Sequence, residues 1–146
     1  MKISAKGEYA IKAVLDLALH HDRGLMPIQE IAARQAIPQR YLEQVLLSLK
    51  RAGLLTSRRG SSGGYHLTRS PEKVTVGAVL RAVEGSDAPF ETASRARRGS
   101  RDSQDLAELW EEIAEAVSKV VDRLNFSELA ARAQARRSAA RPMDYI

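Results

Sequence analysis

Ile28-Gln-Glu-Ile-Ala-Ala-Arg-Gln35, Ala36-Ile37-Pro38 and Gln39-Arg-Tyr-Leu-Glu-Gln-Val-Leu-Leu-Ser-Leu-Lys-Arg-Ala52 form the stretch around which the chain is read. The first run predicts a short helix, the middle one a break, and the last a longer helix stopped by Gly53. Two helices joined by about three residues match a helix-turn-helix. In the second helix Leu42, Val45, Leu46 and Leu49 recur at three- and four-residue intervals and predict the packing face. Gln39, Arg40, Glu43, Gln44, Lys50 and Arg51 lie elsewhere on the cylinder. The first turn, with Gln39, Arg40, Tyr41, Glu43 and Gln44, carries the planar donors and acceptors that a recognition helix offers to base edges in a major groove. Polar residues on a surface helix also suit plain solvation, so the choice rests on the residues behind the helix.

Behind Gly53 come Leu54-Leu-Thr-Ser-Arg58, then Arg59-Gly-Ser-Ser-Gly-Gly64, then Tyr65-His-Leu-Thr68. Two runs with strand character around a glycine-rich turn predict a β-hairpin. A hairpin in that place makes a winged helix, and the fold class expected is mainly α with a small β-hairpin wing. Arg58 and Arg59 stand at the tip, where an arginine can enter a narrow minor groove, and the backbone from Ser61 and Ser62 to Gly63 and Gly64 is expected to lie against phosphates.

Charge is distributed to match. Residues 1–69 hold 11 Lys/Arg against 5 Asp/Glu, residues 103–131 hold 2 against 7, and residues 132–146 hold 4 against 1, within a formal net charge of +5. The N-terminal half therefore suits a polyanion, and the acidic segment should face away from it. With 44% apolar residues and no apolar run near the roughly 20 residues of a membrane span, a cytoplasmic location without membrane contact is expected. Lys2, Lys6, Glu8, Lys12 and Asp16 rule against a signal peptide at the start. Zero cysteines exclude disulfides, thiolate nucleophiles and cysteine-held metal or iron-sulfur sites, so no cofactor is expected. An enzyme is not expected either. There is no phosphate-binding loop, and His20, His21 and His66 lack a carboxylate or serine constellation at useful spacing.

In chain order, Ile3 to His21 predicts a first helix capped by Ser4, with Tyr9, Ala10, Ala13, Val14, Leu17 and Ala18 as its apolar stripe. Lys2 and Lys6 near its start, Gln29 in the next helix and Lys50 join the expected DNA contacts. Thr75 caps a packing helix from Val76 to Glu84 that ends at Gly85. Ser86 to Asp102 reads as a loop whose Arg95, Arg97, Arg98 and Arg101 are either solvated or reserved for phosphate or an anionic effector.

From Leu106 to Asn125 a longer helix is expected, about 30 Å at about 1.5 Å per residue. Leu106, Leu109, Trp110, Ile113, Val117, Val120, Val121 and Leu124 form its stripe at roughly heptad spacing. That stripe needs cover, from the first helix of the same chain or from a second copy; little winged-helix surface remains for it, which favours a symmetric dimer. A dimer would read a two-fold operator. Ser127 is read as the cap of a short helix through Ala135. The domains are thus residues 1–70 for the winged helix, 71–131 for connector helix, loop and dimerisation helix, and 132–146 for a basic tail.

Met1-Lys-Ile-Ser-Ala-Lys-Gly-Glu-Tyr-Ala10, Tyr41-Leu-Glu-Gln44, Leu49-Lys-Arg-Ala-Gly-Leu54, Arg59-Gly-Ser-Ser-Gly-Gly-Tyr65, Thr75-Val-Gly77 and Leu109-Trp110 resemble the Rrf2 family of bacterial winged-helix transcription regulators, over residues 1 to about 130. The resemblance implies a dimeric DNA-binding repressor or activator. Cluster-binding members place three cysteines in the loop corresponding to Phe90 to Leu106; here stand Thr92, Ser94, Ser100 and Ser103 and no cysteine. The chain is most similar to the CymR-like branch, which regulates cysteine metabolism. Its ending, Met143-Asp144-Tyr145-Ile146, also resembles the tail by which serine acetyltransferase enters cysteine synthase (O-acetylserine sulfhydrylase), so Asp144, Tyr145 and Ile146 become a candidate docking tail. The plain alternative for such a tail is an unpinned terminus. A sequence-specific repressor is the expected function. A regulator of another pathway sensing a small molecule and a protein-docking winged helix remain the alternatives. Glu43 would either accept from a cytosine amino group or hold a neighbouring arginine.

Overall fold

Ser4 sets where the first helix begins. Its hydroxyl accepts the Gly7 N–H at 3.1 Å, and α1 runs Ala5–Leu19 in the computed structural model, which describes residues 3–85 and 105–140. Ala10, Ala13, Val14, Leu17 and Ala18 line its buried side as the spacing predicts. Asp16 is buried among them with 0% exposure. Its carboxylate accepts from Arg34 Nε and Nη2, both at 2.9 Å, and from Gln35 Nε2 at 3.1 Å. A charge at that depth is tolerable only because both of its oxygens are satisfied. The same bonds bind α1 to the next helix, and they hold the Arg34 pKa above its ordinary value.

That helix, α2 (Ile28–Gln35), ends at Ala36, a non-glycine residue in the left-handed region at φ 53°. Ile37 is buried and its N–H bonds back to the Ala32 carbonyl at 3.0 Å, as does the Ala36 N–H, so the turn is held by two backbone bonds and one apolar anchor. Pro38 then leads into α3 (Gln39–Arg51), whose Leu42, Val45, Leu46 and Leu49 are all 0% exposed. Gly53 at φ 81° turns the chain out of α3.

β1 (Leu55–Arg58) and β2 (Gly64–Leu67) form an antiparallel pair in which Leu55 faces Leu67 and Arg58 faces Gly64. Met26, between α1 and α2, adds an isolated bridge to Tyr65 through two backbone bonds of 2.9 Å. A Cβ on Gly64 would stand 2.5 Å from the Met26 backbone, so glycine is what lets the hairpin lie so near.

α4 (Val76–Glu84) is capped by Thr75, whose Oγ1 accepts the Ala78 N–H at 3.1 Å. It lies against α1 and α3. α5 spans Ala107–Arg123 and α6 spans Phe126–Ala140. The α5–α6 junction is fastened to the start of α4, Val76 N–H to Leu124 O at 2.9 Å and Phe126 N–H to Val74 O at 3.0 Å. Phe126 is fully buried in the core beside Val74 and Val79.

The C-terminal helix differs from the sequence expectation at both ends. Asn125, not Ser127, caps it, its Oδ1 accepting the Glu128 N–H at 2.9 Å. It runs past Ala135 to Ala140 because alanine and arginine are strong helix formers and nothing breaks the run before Pro142. Helix therefore enters the segment read as tail. No helix among the described residues is long and apolar enough to cross a membrane.

Candidate nucleic-acid interface

Burying Leu42, Val45, Leu46 and Leu49 turns the opposite side of α3 outward. Gln39, Arg40, Tyr41, Glu43, Gln44, Lys50 and Arg51 are all exposed. So are Arg58, Arg59, Ser61 and Ser62 on the wing and Gln29 on α2, while Lys6 is half-buried. Among the described residues Arg40, Lys50, Arg51, Arg58 and Arg59 enter no ion pair, in contrast with Arg34, Arg81 and Arg132, which are paired. Cations without an internal acid are free to neutralise an external one.

Wing geometry gives the glycines a structural reason of their own. Gly63 N–H closes a turn on Gly60 O at 3.0 Å, and a Cβ on Gly63 would overlap the Arg58 carbonyl. Gly63 and Gly64 are half-buried against the hairpin's own backbone and Met26, so their bareness serves closure of the wing. The outermost tip is Arg59, Gly60, Ser61 and Ser62.

Tyr9, expected only as scaffold, also supports α3. Its ring meets that of Tyr41 edge to face, centroids 5.2 Å apart at 78°, with Lys12 Nζ 5.8 Å from the Tyr9 centroid. Tyr41 is thereby steadied at the start of α3. Asp16, the residue that fixes α2 beside α1, is not picked out as a structural centre by the sequence expectation; its place between Leu15 and Leu17 on a helix is the available signal.

The apolar stripe of α5 divides. Val121 and Leu124 rest against the chain's own core, and Arg81 of α4 donates to both Asp122 oxygens, Nη2 to Oδ2 at 3.0 Å. The arginine holds the Asp122 carboxyl below its ordinary pKa. α5 thus lies chiefly along α4 rather than α1. Elsewhere the stripe is less covered: Leu106 and Leu109 at its start and Val120 in its last turn are 39%, 45% and 45% exposed, while Trp110, Ile113 and Val117 between them are half-buried. Lys2, the arginines at 95, 97, 98 and 101, and the tail Asp144, Tyr145 and Ile146 lie outside the described residues.

Comparison with known proteins fits this arrangement. The family model described as "Iron-dependent Transcriptional regulator", Rrf2, matches residues 3–132. The chain is 36% identical to the HTH-type transcriptional regulator CymR of Bacillus subtilis over 130 residues, 89% of this chain and 90% of that one. It is 38% identical to the HTH-type transcriptional regulator IscR of Aliivibrio salmonicida over 132 residues, 88% and 77% of the two chains. The solved structure of CymR, described as the global cysteine regulator of B. subtilis, superimposes with a TM-score of 0.76 at 34% identity, covering 90% of this chain and 98% of that one. Those names agree with the expectation of a regulator and not an enzyme. A cysteine-held iron-sulfur cluster does not fit: the chain has 0 cysteines, and no group of three or more His, Cys, Asp or Glu among the described residues could hold an ion. With a winged helix-turn-helix, an outward polar α3 and these relatives, the chain belongs to the Rrf2 family of transcriptional regulators.

Proposed function

We propose that this DNA-binding regulator works as a homodimeric repressor, placing α3 in the major groove of each half of a two-fold operator and the wing arginine Arg59 in the flanking minor groove. The observation that carries this reading is the outward set of Gln39, Arg40, Tyr41, Glu43 and Gln44 with unpaired cations on both α3 and the wing. Ser61 and Ser62, with Lys6, Gln29 and Lys50, hold phosphates. The uncovered part of the α5 stripe supports pairing with a second copy through Leu106, Leu109, Trp110, Ile113, Val117 and Val120. Such a protein acts in the cytoplasm.

The proposed pathway is cysteine metabolism, with Asp144, Tyr145 and Ile146 docking cysteine synthase. Support comes from the likeness to CymR, 36% identical over nine-tenths of both chains. Selecting bound DNA from a random pool, with and without cysteine synthase and O-acetylserine, tests both levels. A palindromic consensus is expected, bound more tightly with the synthase present. Uniform recovery of all sequences would overturn the operator reading; undiminished synthase affinity after removal of Tyr145 and Ile146 would overturn the docking reading alone.

A further inference from the structure

Leu47 is a large apolar side chain on α3 that is 44% exposed. Packing does not account for it. The core side of the helix is already filled by Leu42, Val45, Leu46 and Leu49, each at 0% exposure. At about 100° per residue Leu47 lies nearly opposite their mean direction. Helix propensity does not account for it either, since lysine, glutamate, glutamine and arginine serve a helix about as well in solvent.

What Leu47 shares a face with is informative. Arg40, Glu43, Gln44, Leu47 and Arg51 fall within about 100° of arc, with Leu47 near the middle and one turn beyond Glu43. All five are exposed. An isobutyl group set among donors and acceptors on a groove-facing surface has one apolar feature to meet there, the methyl group of thymine, which no other base carries in the major groove.

We propose that Leu47 is a specificity residue that packs on a thymine C5-methyl beside the base pairs read by Glu43 and Gln44, giving the regulator a fixed preference for thymine at one position in each half-site. The proposal rests on the reading of α3 as the major-groove helix. Operator DNA from the random-pool selection, with each thymidine replaced in turn by deoxyuridine, removes that methyl and nothing else. At one position per half-site the replacement should weaken binding of the full chain roughly fourfold, the worth of one buried methyl. Leu47→Ser, which changes an exposed side chain and leaves the core intact, should bind both DNAs alike and no longer select thymine there. Equal affinity for every deoxyuridine variant, or the same loss in Leu47→Ser as in the unaltered chain, would overturn it. Arg40→Ala and Gln44→Ala run beside it: if they alter the selected bases while deoxyuridine has no effect, Leu47 alone loses its role. If none of these changes matters, the reading of α3 falls with it.

Discussion

Glu84, the last residue of α4, accepts from both the backbone N–H and the hydroxyl of Ser4, the residue that caps α1. The carboxylate sits poorly at its own helix end and well at the start of α1, where partial positive charge collects. Gly7 makes room for it: a Cβ there would overlap Glu84 Oε1. Because that oxygen ends a flexible side chain that can swing aside, Gly7→Ala should forfeit its bonds to Ser4 and fall short of the usual gain of alanine over glycine in a helix, about 1 kcal/mol. In a Glu84→Ala background the same change should be neutral or stabilising by up to about 1 kcal/mol. Urea unfolding of the four proteins decides, and an equal effect in both backgrounds would contradict the contact.

Asp16 and Arg34 are unequal partners, because the Asp16 side chain is 1% exposed and that of Arg34 33%. A stranded guanidinium can turn to water; a stranded carboxylate cannot. Arg34→Met is expected to cost more than Asp16→Asn, with the larger loss about 2 to 4 kcal/mol. Asp16→Leu combined with Arg34→Met should recover part of it. Denaturant midpoints showing the reverse order would place the buried charge elsewhere.

The Arg81–Asp122 pair links α4 to α5 near the surface, Asp122 being 46% exposed, so its worth stays within about 1 kcal/mol. Arg81 lowers the Asp122 pKa from its ordinary 3.8. A depressed carboxyl stabilises the fold above the unfolded value and loses that contribution as pH falls through the folded one. The stability gap between the chain and Asp122→Asn should be full above about pH 4 and close below it. A gap that widens in acid would reverse the sign.

On DNA, Arg59→Ala should weaken specific binding by about 1 to 3 kcal/mol and relax preference at the flanking position. Lys6→Gln should weaken specific and random DNA alike and reduce the salt slope by about one. Electrophoretic titrations at several salt concentrations separate the two behaviours.

For self-association, Leu109→Glu or Val120→Glu places a charge in the uncovered stripe of α5, at side chains 45% exposed within one chain. Sedimentation should show monomers with melting little changed, and operator affinity should drop steeply. Dimers that persist would move the interface.

Much of the fold is legible in the sequence because it is local. The three- and four-residue spacing of Leu42, Val45, Leu46 and Leu49 fixes the buried side of α3 without knowledge of its neighbours, and Ser4 and Thr75 each cap a helix visible in the residues after them. Ser127 and Asn125 are both good caps, and only the bonds from Val76 to Leu124 and from Phe126 to Val74 settle where α6 starts. Pairings such as Asp16 with Arg34, Tyr9 with Tyr41 or Ser4 with Glu84 span 18 to 80 residues or join separate helices, and leave no periodic trace. The division of the α5 stripe is hidden for the same reason: Val121 and Leu109 look equivalent until α4 is seen beside one and not the other.

The bridge between Met26 and Tyr65 gives the wing an attachment that a free two-stranded ribbon lacks. Such a ribbon bends easily, whereas here any swing must first break two backbone bonds to the segment joining α1 and α2. If α3 and Arg59 contact DNA as proposed, this attachment would act as the locked jaw of a caliper and hold the interval between the two contacts constant. Duplexes that differ by a single inserted base pair between those two positions would be rejected, not accommodated.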